Sequence, residues 1–327
     1  MKQNKRAMEN LGNQTKDISV IIPIFNEEAN IETLYSQLKH VLKNINKSYE
    51  IIFVDDGSTD GAFNLLKELH QEDINVKAIK FRKNFGQTAA MSAGFDYARG
   101  EVIITIDGDL QNDPQDIPRL LKKVHEGFDI VSGWRAERKD LFLTRRLPSY
   151  FANKLISWVT GVKLHDYGCT LKAYKREVIK NVNLYGEMHR FIPAVASWMG
   201  ISEAEIKVKH RPRKHGKSKY GLSRTLSVML DLITIKFLLS FSTKPIQIFG
   251  LWGLFSLILG GISGLAVILM KIMLKVDMTG NPLLYLAVLF FFVGIQFIMM
   301  GLLGEILVRV YHEVQNKPTY AIKEILD

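Results

Sequence analysis

Over the first two-thirds of the chain, short runs of aliphatic and β-branched residues alternate with stretches whose apolar residues recur at helical spacing. Residues 18–22 (ISVII) form the first such run, and residues 28–42 then place Ile31, Leu34, Leu38 and Val41 on one helical face. The alternation continues with a strand at 49–54, a helix at 59–69, a strand at 76–81, a helix at 87–98 and a strand at 102–106. Pro114 then opens another helix, a position that proline favours, and a fifth strand follows at 128–132. Short apolar strands separated by helices predict parallel β-α-β units, hence an α/β fold with a mostly parallel sheet.

From residue 246 the pattern changes. Residues 246–270 and 283–304 carry no charged side chain. As helices these runs are about 37 and 33 Å long at 1.5 Å per residue, enough to cross a hydrocarbon core of about 30 Å. The short linker makes them a hairpin with both ends on one side of a membrane. Lys236, Lys244, Arg309, Lys317 and Lys323 flank those ends, against Lys271 and Lys275 in the linker, a bias that favours cytoplasmic ends. Gly260 and Gly264 form a small-xxx-small pair suited to close helix approach.

The predicted organisation is a polar, disordered segment at 1–16 and a cytoplasmic α/β domain at 17–223. Interfacial helices at 224–243 lead to a two-span hairpin at 244–310, with spans near 246–270 and 283–307, and a cytoplasmic tail at 311–327. The chain is expected at the cell membrane.

Charge sharpens this picture. The formal net charge is +10, and residues 207–224 hold eight Lys or Arg and no Asp or Glu. Such a run beside a membrane segment attracts anionic headgroups or a phosphorylated substrate. Cys169 is the one cysteine, so an intrachain disulfide and a cysteine-built metal site are excluded. The N-terminal residues lack the apolar core of a signal peptide.

The acidic residues lie where an open parallel sheet binds ligands, at the carboxyl ends of its strands. Asp107-Gly108-Asp109 follows the fourth strand, and two carboxylates there suit a hard divalent cation that neutralises a diphosphate. Gln111 offers a further oxygen. Asp55 and Asp56 follow the second strand, where a carboxylate accepts hydrogen bonds from a nucleobase or ribose; Asp60 suits an N-cap. Pro23, Asn26 and Glu27 follow the first strand and form the neighbouring wall. No G-x-G-x-x-G follows a strand, and Arg211 stands where a Walker A glycine is required before Gly216.

The ordered blocks VIIPIFNE (20–27), VDDGSTD (54–60) and IDGDLQNDP (106–114) resemble inverting GT-A glycosyltransferases of family 2. VSGWR (131–135), HDYGCTLKAYKR (165–176) and KHGKSKY (214–220) resemble its polyprenyl-phosphate branch, the dolichol-phosphate mannose synthases and bactoprenol glucosyltransferases. The resemblance implies a GT-A (Rossmann-like) catalytic domain with Mg²⁺ or Mn²⁺. It implies a UDP-sugar donor, with glucose first and N-acetylglucosamine, mannose or a modified aminopentose as alternatives, a GDP-sugar being less favoured, and undecaprenyl phosphate as acceptor in contact with membrane lipids. By motif, Asp107, Asp109 and Gln111 would hold the metal, and Pro23, Asn26, Glu27 and Asp55 or Asp56 the nucleoside. Arg135, Ser149 and Arg145 or Arg146 would hold the acceptor phosphate, and Lys217 and Lys219 would close over the diphosphate. Asp166 has four readings: positioning the acceptor, a base, a helix cap, or an internal salt bridge. His189, Trp134 and Trp158 have a packing reading beside a functional one.

Competing classes fit less of the sequence. A processive polysaccharide synthase would carry a Q-x-x-R-W motif and more spans. A nucleotide-sugar sensor need not keep the whole acidic set. A nucleic-acid binder explains neither the hairpin nor the acidic strand ends, so no nucleic-acid partner is expected, while a homo-oligomer is compatible with the sequence.

Overall fold

In the computed structural model, residues 15–136, 162–182, 188–212, 245–275, 279–314 and 320–327 are described, with Ser157 and Asp277. The expected sites at Arg145, Arg146, Ser149, Lys217 and Lys219 lie outside these residues, as do Trp158 and the segment at 224–243.

The chain forms two compact units, residues 1–233 with 318–327, and residues 234–317. In the first, strands β1 (Lys16–Ile24), β2 (Tyr49–Asp55), β3 (Val76–Phe81) and β4 (Gly100–Thr105) are joined by helices α1 (Glu28–Ile45), α2 (Ala62–Glu72) and α3 (Gln87–Tyr97). Helix α4 (Ile117–His125) leads to β5 (Ile130–Trp134). Strand β6 (Lys172–Lys175), helices α5 (Arg176–Ile179) and α6 (Ile192–Ala196), and β7 (Glu203–Lys207) follow. Every residue of β2 is buried, as expected for a strand covered on both faces.

With a last strand, β8 (Ile322–Leu326), the sheet runs β7-β5-β6-β4-β1-β2-β3-β8. β1 pairs in parallel with both β2 and β4, so the chain steps from β1 outward through β2 and β3 and then returns to β1's other side. That reversal opens a crevice at the carboxyl ends of β1 and β4. β6 is antiparallel to both β4 and β5, making the sheet mixed.

Two expectations change here. Lys16 already belongs to β1, so strand structure begins inside the segment read as disordered. The residues read as a tail contain strand β8 (Ile322–Leu326), antiparallel to β3. Its alternating IKEIL pattern covers what would otherwise be an exposed sheet edge. Lys67 Nζ lies 2.7 Å from Glu324, Asp327 pairs with Lys77 and Arg99, and Tyr320 stacks on Phe81 with centroids 5.2 Å apart.

The second unit is a helical hairpin, α7 (Pro245–Met273) and α8 (Pro282–Val314), with candidate membrane spans Phe249–Met273 and Pro282–Gly304. A Cβ on Gly253 would lie 2.8 Å from the Gly294 carbonyl, and one on Gly260 would lie 3.1 Å from that of Ala287. Small residues thus let the two backbones approach. Gly260 of the expected pair does this, whereas a Cβ on Gly264 would meet only the Ala287 Cβ at 4.0 Å. Large apolar side chains such as Leu251, Phe255, Leu265 and Phe292 face outward and are more than half exposed, as a lipid-facing surface requires.

Candidate active site

Three strand ends converge at the crevice. After β1, Asn26 adopts a left-handed backbone with φ 54°. Its side-chain oxygen accepts the Thr59 N–H at 2.8 Å, and its own N–H donates to Ser58 Oγ at 2.9 Å. Asn26 therefore ties the β1 loop to the β2 loop. Glu27 Oε2 accepts from Asn30 Nδ2 at 2.6 Å, and Asp60 accepts the N–H groups of Glu28 and Ala62 at two helix starts, although the N-cap of α2 is Gly61 and not Asp60 as expected. Pro23 lies opposite Val54 in the β1–β2 ladder.

The two carboxylates after β2 differ. Asp56 accepts the Phe85 N–H at 2.6 Å and the Gly86 N–H at 2.9 Å, so both its oxygens hold the loop after β3; burial pushes its pKa up. Asp55 accepts the Ser58 N–H through Oδ1, while Oδ2 has no hydrogen bond among the described residues and lies 3.9 Å from Lys80 Nζ. Gly57 between them and the turn has φ +74°, and a Cβ there would come within 2.5 Å of the Lys83 carbonyl carbon. Only glycine allows the two loops to touch at this point.

After β4, Asp107 and Asp109 flank Gly108. Asp107 keeps partial contact with solvent, yet the protein crowding it and the charge of Asp109 push its pKa up to about 6. Gln87 Nε2, at the start of α3, donates to Asp107 Oδ1 at 2.8 Å, and the Thr170 hydroxyl also bonds Asp107. Asp109 Oδ1 accepts the Gln111 N–H at 3.1 Å, which binds Gln111 to the acidic turn through its backbone. The Gln111 carbonyl in turn accepts the Arg211 N–H at 2.8 Å, and Arg211 pairs with Asp113 at 2.7 Å. The start of the basic segment is thereby fastened to the acidic loop.

Arg135, at the end of β5, lies side-on against Asp166: Nε to Oδ2 is 2.7 Å and Nη2 to Oδ1 is 3.0 Å. Burial alone would lower the Arg135 pKa, but the Asp166 carboxylate outweighs it and holds the guanidinium above the ordinary arginine range. Of the readings open for Asp166, the structure shows the internal salt bridge. His189 is buried with Nδ1 2.7 Å from Thr88 Oγ1, and Trp134 stacks on His165 with centroids 4.3 Å apart, packing roles for both.

Sequence reasoning missed the segment NFGQT (84–88) as part of the site. It is gripped by Asp56, reaches Asp107 through Gln87 and reaches His189 through Thr88. The available signal was its place at a third strand end, with Gly86 opening a helix. Thr170 was missed because its partner, Asp107, lies far away in sequence.

A model of glycosyl transferase family 2 matches residues 19–182. The chain belongs to that family. This family 2 enzyme is 41% identical over 324 residues to dodecaprenyl-phosphate galacturonate synthase of Rhizobium johnstonii, covering 96% of this chain and 94% of that one. It is 39% identical over 317 residues to undecaprenyl-phosphate 4-deoxy-4-formamido-L-arabinose transferase of Shewanella sediminis, covering 96% and 94%. The polyprenyl-phosphate branch suggested by the motifs is therefore the one its relatives occupy. Among solved structures it is similar to glucosyl-3-phosphoglycerate synthase of Mycobacterium tuberculosis in complex with Mn²⁺, UDP and phosphoglyceric acid. The TM-score is 0.52 at 18% identity, covering 68% of this chain and 78% of that one, a likeness of fold. The family 2 glycosyltransferase thus has a GT-A-like mixed sheet, and its apolar hairpin associates it with the membrane.

Proposed function

We propose that this enzyme transfers one sugar from a UDP-sugar to undecaprenyl phosphate, with inversion, giving a polyprenyl-phosphate-linked monosaccharide for cell-envelope glycosylation. The observation that carries this reading is the joining of a two-carboxylate turn, Asp107 and Asp109, to the Arg135 guanidinium through the 166–170 turn. One end suits a nucleoside diphosphate and the other an acceptor phosphate.

Asp55 reads the nucleoside through its unbonded Oδ2, with Pro23 and Glu27 as the adjoining wall; Asn26 and Asp56 shape that wall. Among the described residues no cluster of three His, Cys, Asp or Glu side chains is found. The two carboxylates nevertheless fit a hard divalent cation, because the diphosphate itself supplies oxygen ligands. Asp107 and Asp109 would hold Mg²⁺ or Mn²⁺, beside Gln111, and the bound ion neutralises the leaving diphosphate. The Mn²⁺ and UDP in the structurally similar synthase support this assignment.

Arg135 spends Nε and Nη2 on Asp166, and its Nη1 makes no hydrogen bond among the described residues. It is presented to the acceptor phosphate, with Arg145 or Arg146 and Ser149 completing the grip. Lys217 lies six residues beyond Arg211, within a chain reach of about 20 Å of the acidic loop. Lys217 and Lys219 cover the diphosphate from there. A phosphate monoester is already anionic near neutral pH, so its oxygen attacks the anomeric carbon without a strong base, and catalysis is positioning and charge stabilisation. A single displacement inverts the anomeric centre.

The sugar is galacturonate or a 4-formamido-pentose, as in the relatives' names, neither of which carries the glucose expected from the resemblance. The lysines and arginine that flank the hairpin in sequence favour cytoplasmic ends, and the catalytic domain is assigned to that side with them.

The test is transfer of labelled sugar to undecaprenyl phosphate in detergent from a panel of UDP- and GDP-sugars, with and without EDTA. Labelling from UDP-galacturonate or the UDP-formamido-pentose, abolished by EDTA, is expected. An α-retained product or EDTA-resistant activity refutes the mechanism.

The raised Asp107 pKa gives a pH prediction. A carboxyl raised in the folded state stabilises the ion-free fold below about pH 4 and loses that contribution as pH climbs through about 6. A cation must displace the same proton. Mn²⁺ affinity in the presence of UDP therefore rises about tenfold per pH unit up to about 6 and levels above it, as titration by electron paramagnetic resonance would show.

A further inference from the structure

The turn at residues 166–170 connects the two halves of the site. At one end Asp166 grips Arg135 and accepts the Gly168 N–H at 3.1 Å. At the other, the Thr170 hydroxyl bonds Asp107 and its carbonyl accepts Thr105 Oγ1 at 2.6 Å. Lys172 follows in β6 and is 2% exposed. Its ammonium turns back under the turn and donates to the Tyr167 carbonyl at 3.1 Å and the Cys169 carbonyl at 2.5 Å, one on each side of Gly168. It shares a small cavity with Thr170, His189 and Arg190. A buried ammonium is costly to desolvate, and a turn needing only packing would be served by an apolar side chain. What the ammonium supplies is two charge-assisted bonds that fix the turn's shape from below.

We propose that Lys172 is a positioning residue for the transfer: by holding the 167 and 169 carbonyls it sets the distance and orientation of Arg135 relative to Asp107. The inference rests on the reaction proposed above. In-line attack needs the acceptor phosphate and the leaving diphosphate aligned across the anomeric carbon. The span between Arg135 and Asp107 runs through this turn, whereas the nucleoside wall stands on β1 and β2 and does not.

Cys169 is fully buried and is the chain's one thiol, so it reports the turn's closure without reference to activity. The experiment compares wild type, Lys172→Met and Lys172→Arg in the full-length detergent-solubilised protein. It measures kcat, KM for undecaprenyl phosphate, UDP affinity and the rate of Cys169 labelling by a disulfide reagent. Lys172→Met is expected to lower kcat at least tenfold, raise the acceptor KM and leave UDP affinity within twofold. Its thiol is expected to label at least tenfold faster. Lys172→Arg, which still donates to both carbonyls, restores most of each. Wild-type kcat and acceptor KM in Lys172→Met, or an unchanged labelling rate, overturns the proposal. If Lys172→Met no longer binds UDP, Lys172→Arg decides: a thiol as protected as in wild type supports the role, and fast labelling with UDP affinity intact overturns it. If the wild type transfers no sugar, the reaction assignment fails, and the labelling rates alone decide what Lys172 does.

Discussion

Replacing Asp109 by Asn lowers the rate of sugar transfer roughly a thousandfold, the equivalent of about 4 kcal/mol of transition-state stabilisation. The substitution keeps the side chain's size and its acceptor oxygen for the Gln111 N–H, so the turn is retained. What goes is the second negative charge beside Asp107, and with it the charge balance of the cation assigned to this pair. The same change has the opposite effect on the ion-free fold. Asp109 is a source of the strain that raises the Asp107 pKa, and removing a like charge relieves it. Asp109→Asn is therefore expected to melt at or above the wild-type temperature without divalent ion and to gain less from Mn²⁺ plus UDP. Initial rates and thermal melts with and without Mn²⁺ check both halves. Activity within tenfold of wild type would remove Asp109 from the metal site.

The strands that carry this chemistry were legible because burial on both faces writes itself into sequence. β1 to β4 and the acids at their ends come from local apolar runs, and only their limits moved by one or two residues. β6 and β7 were not read. KAYK and EAEIK carry charged residues that a buried-strand pattern excludes, and Lys172 is tolerated there only because the two turn carbonyls receive its ammonium. β8 was hidden for another reason. Its IKEIL alternation is short and follows a membrane helix, and what makes it a strand is the edge of β3, which is far away in sequence. In the candidate site, residues at the ends of their own strands could be read from motifs. Those joined to it by long-range partners, such as Gln87 and Thr170 on Asp107, needed the fold. Asp56 shows the limit of a motif: next to Asp55 and chemically identical, it serves the backbone of Phe85 and Gly86.

The Arg135–Asp166 pair carries the second large effect, and it separates a structural from a proton-transfer role for Asp166. Asp166 is 3% exposed and accepts two bonds from one guanidinium as well as the Gly168 N–H. Asp166→Asn leaves that cation largely buried without its counter-ion, which costs about 3–5 kcal/mol of stability. The Arg135 guanidinium is then drawn more strongly toward Asp107, whose charge it already senses, and competes there with the metal. The expected result is a lower denaturation midpoint, a raised Mn²⁺ requirement and a loss of turnover that extra Mn²⁺ partly repairs. Arg135→Met combined with Asp166→Asn should recover stability relative to the sum of the single changes, because the pair is removed together, yet should not recover activity. A general base would behave otherwise. Its loss would flatten the acidic limb of the pH–rate profile, leave the denaturation midpoint near wild type and give no coupling with Arg135 in a stability cycle. Since a phosphate acceptor arrives already ionised, the reaction has little use for such a base, and in the proposed mechanism the buried pair serves to aim Arg135.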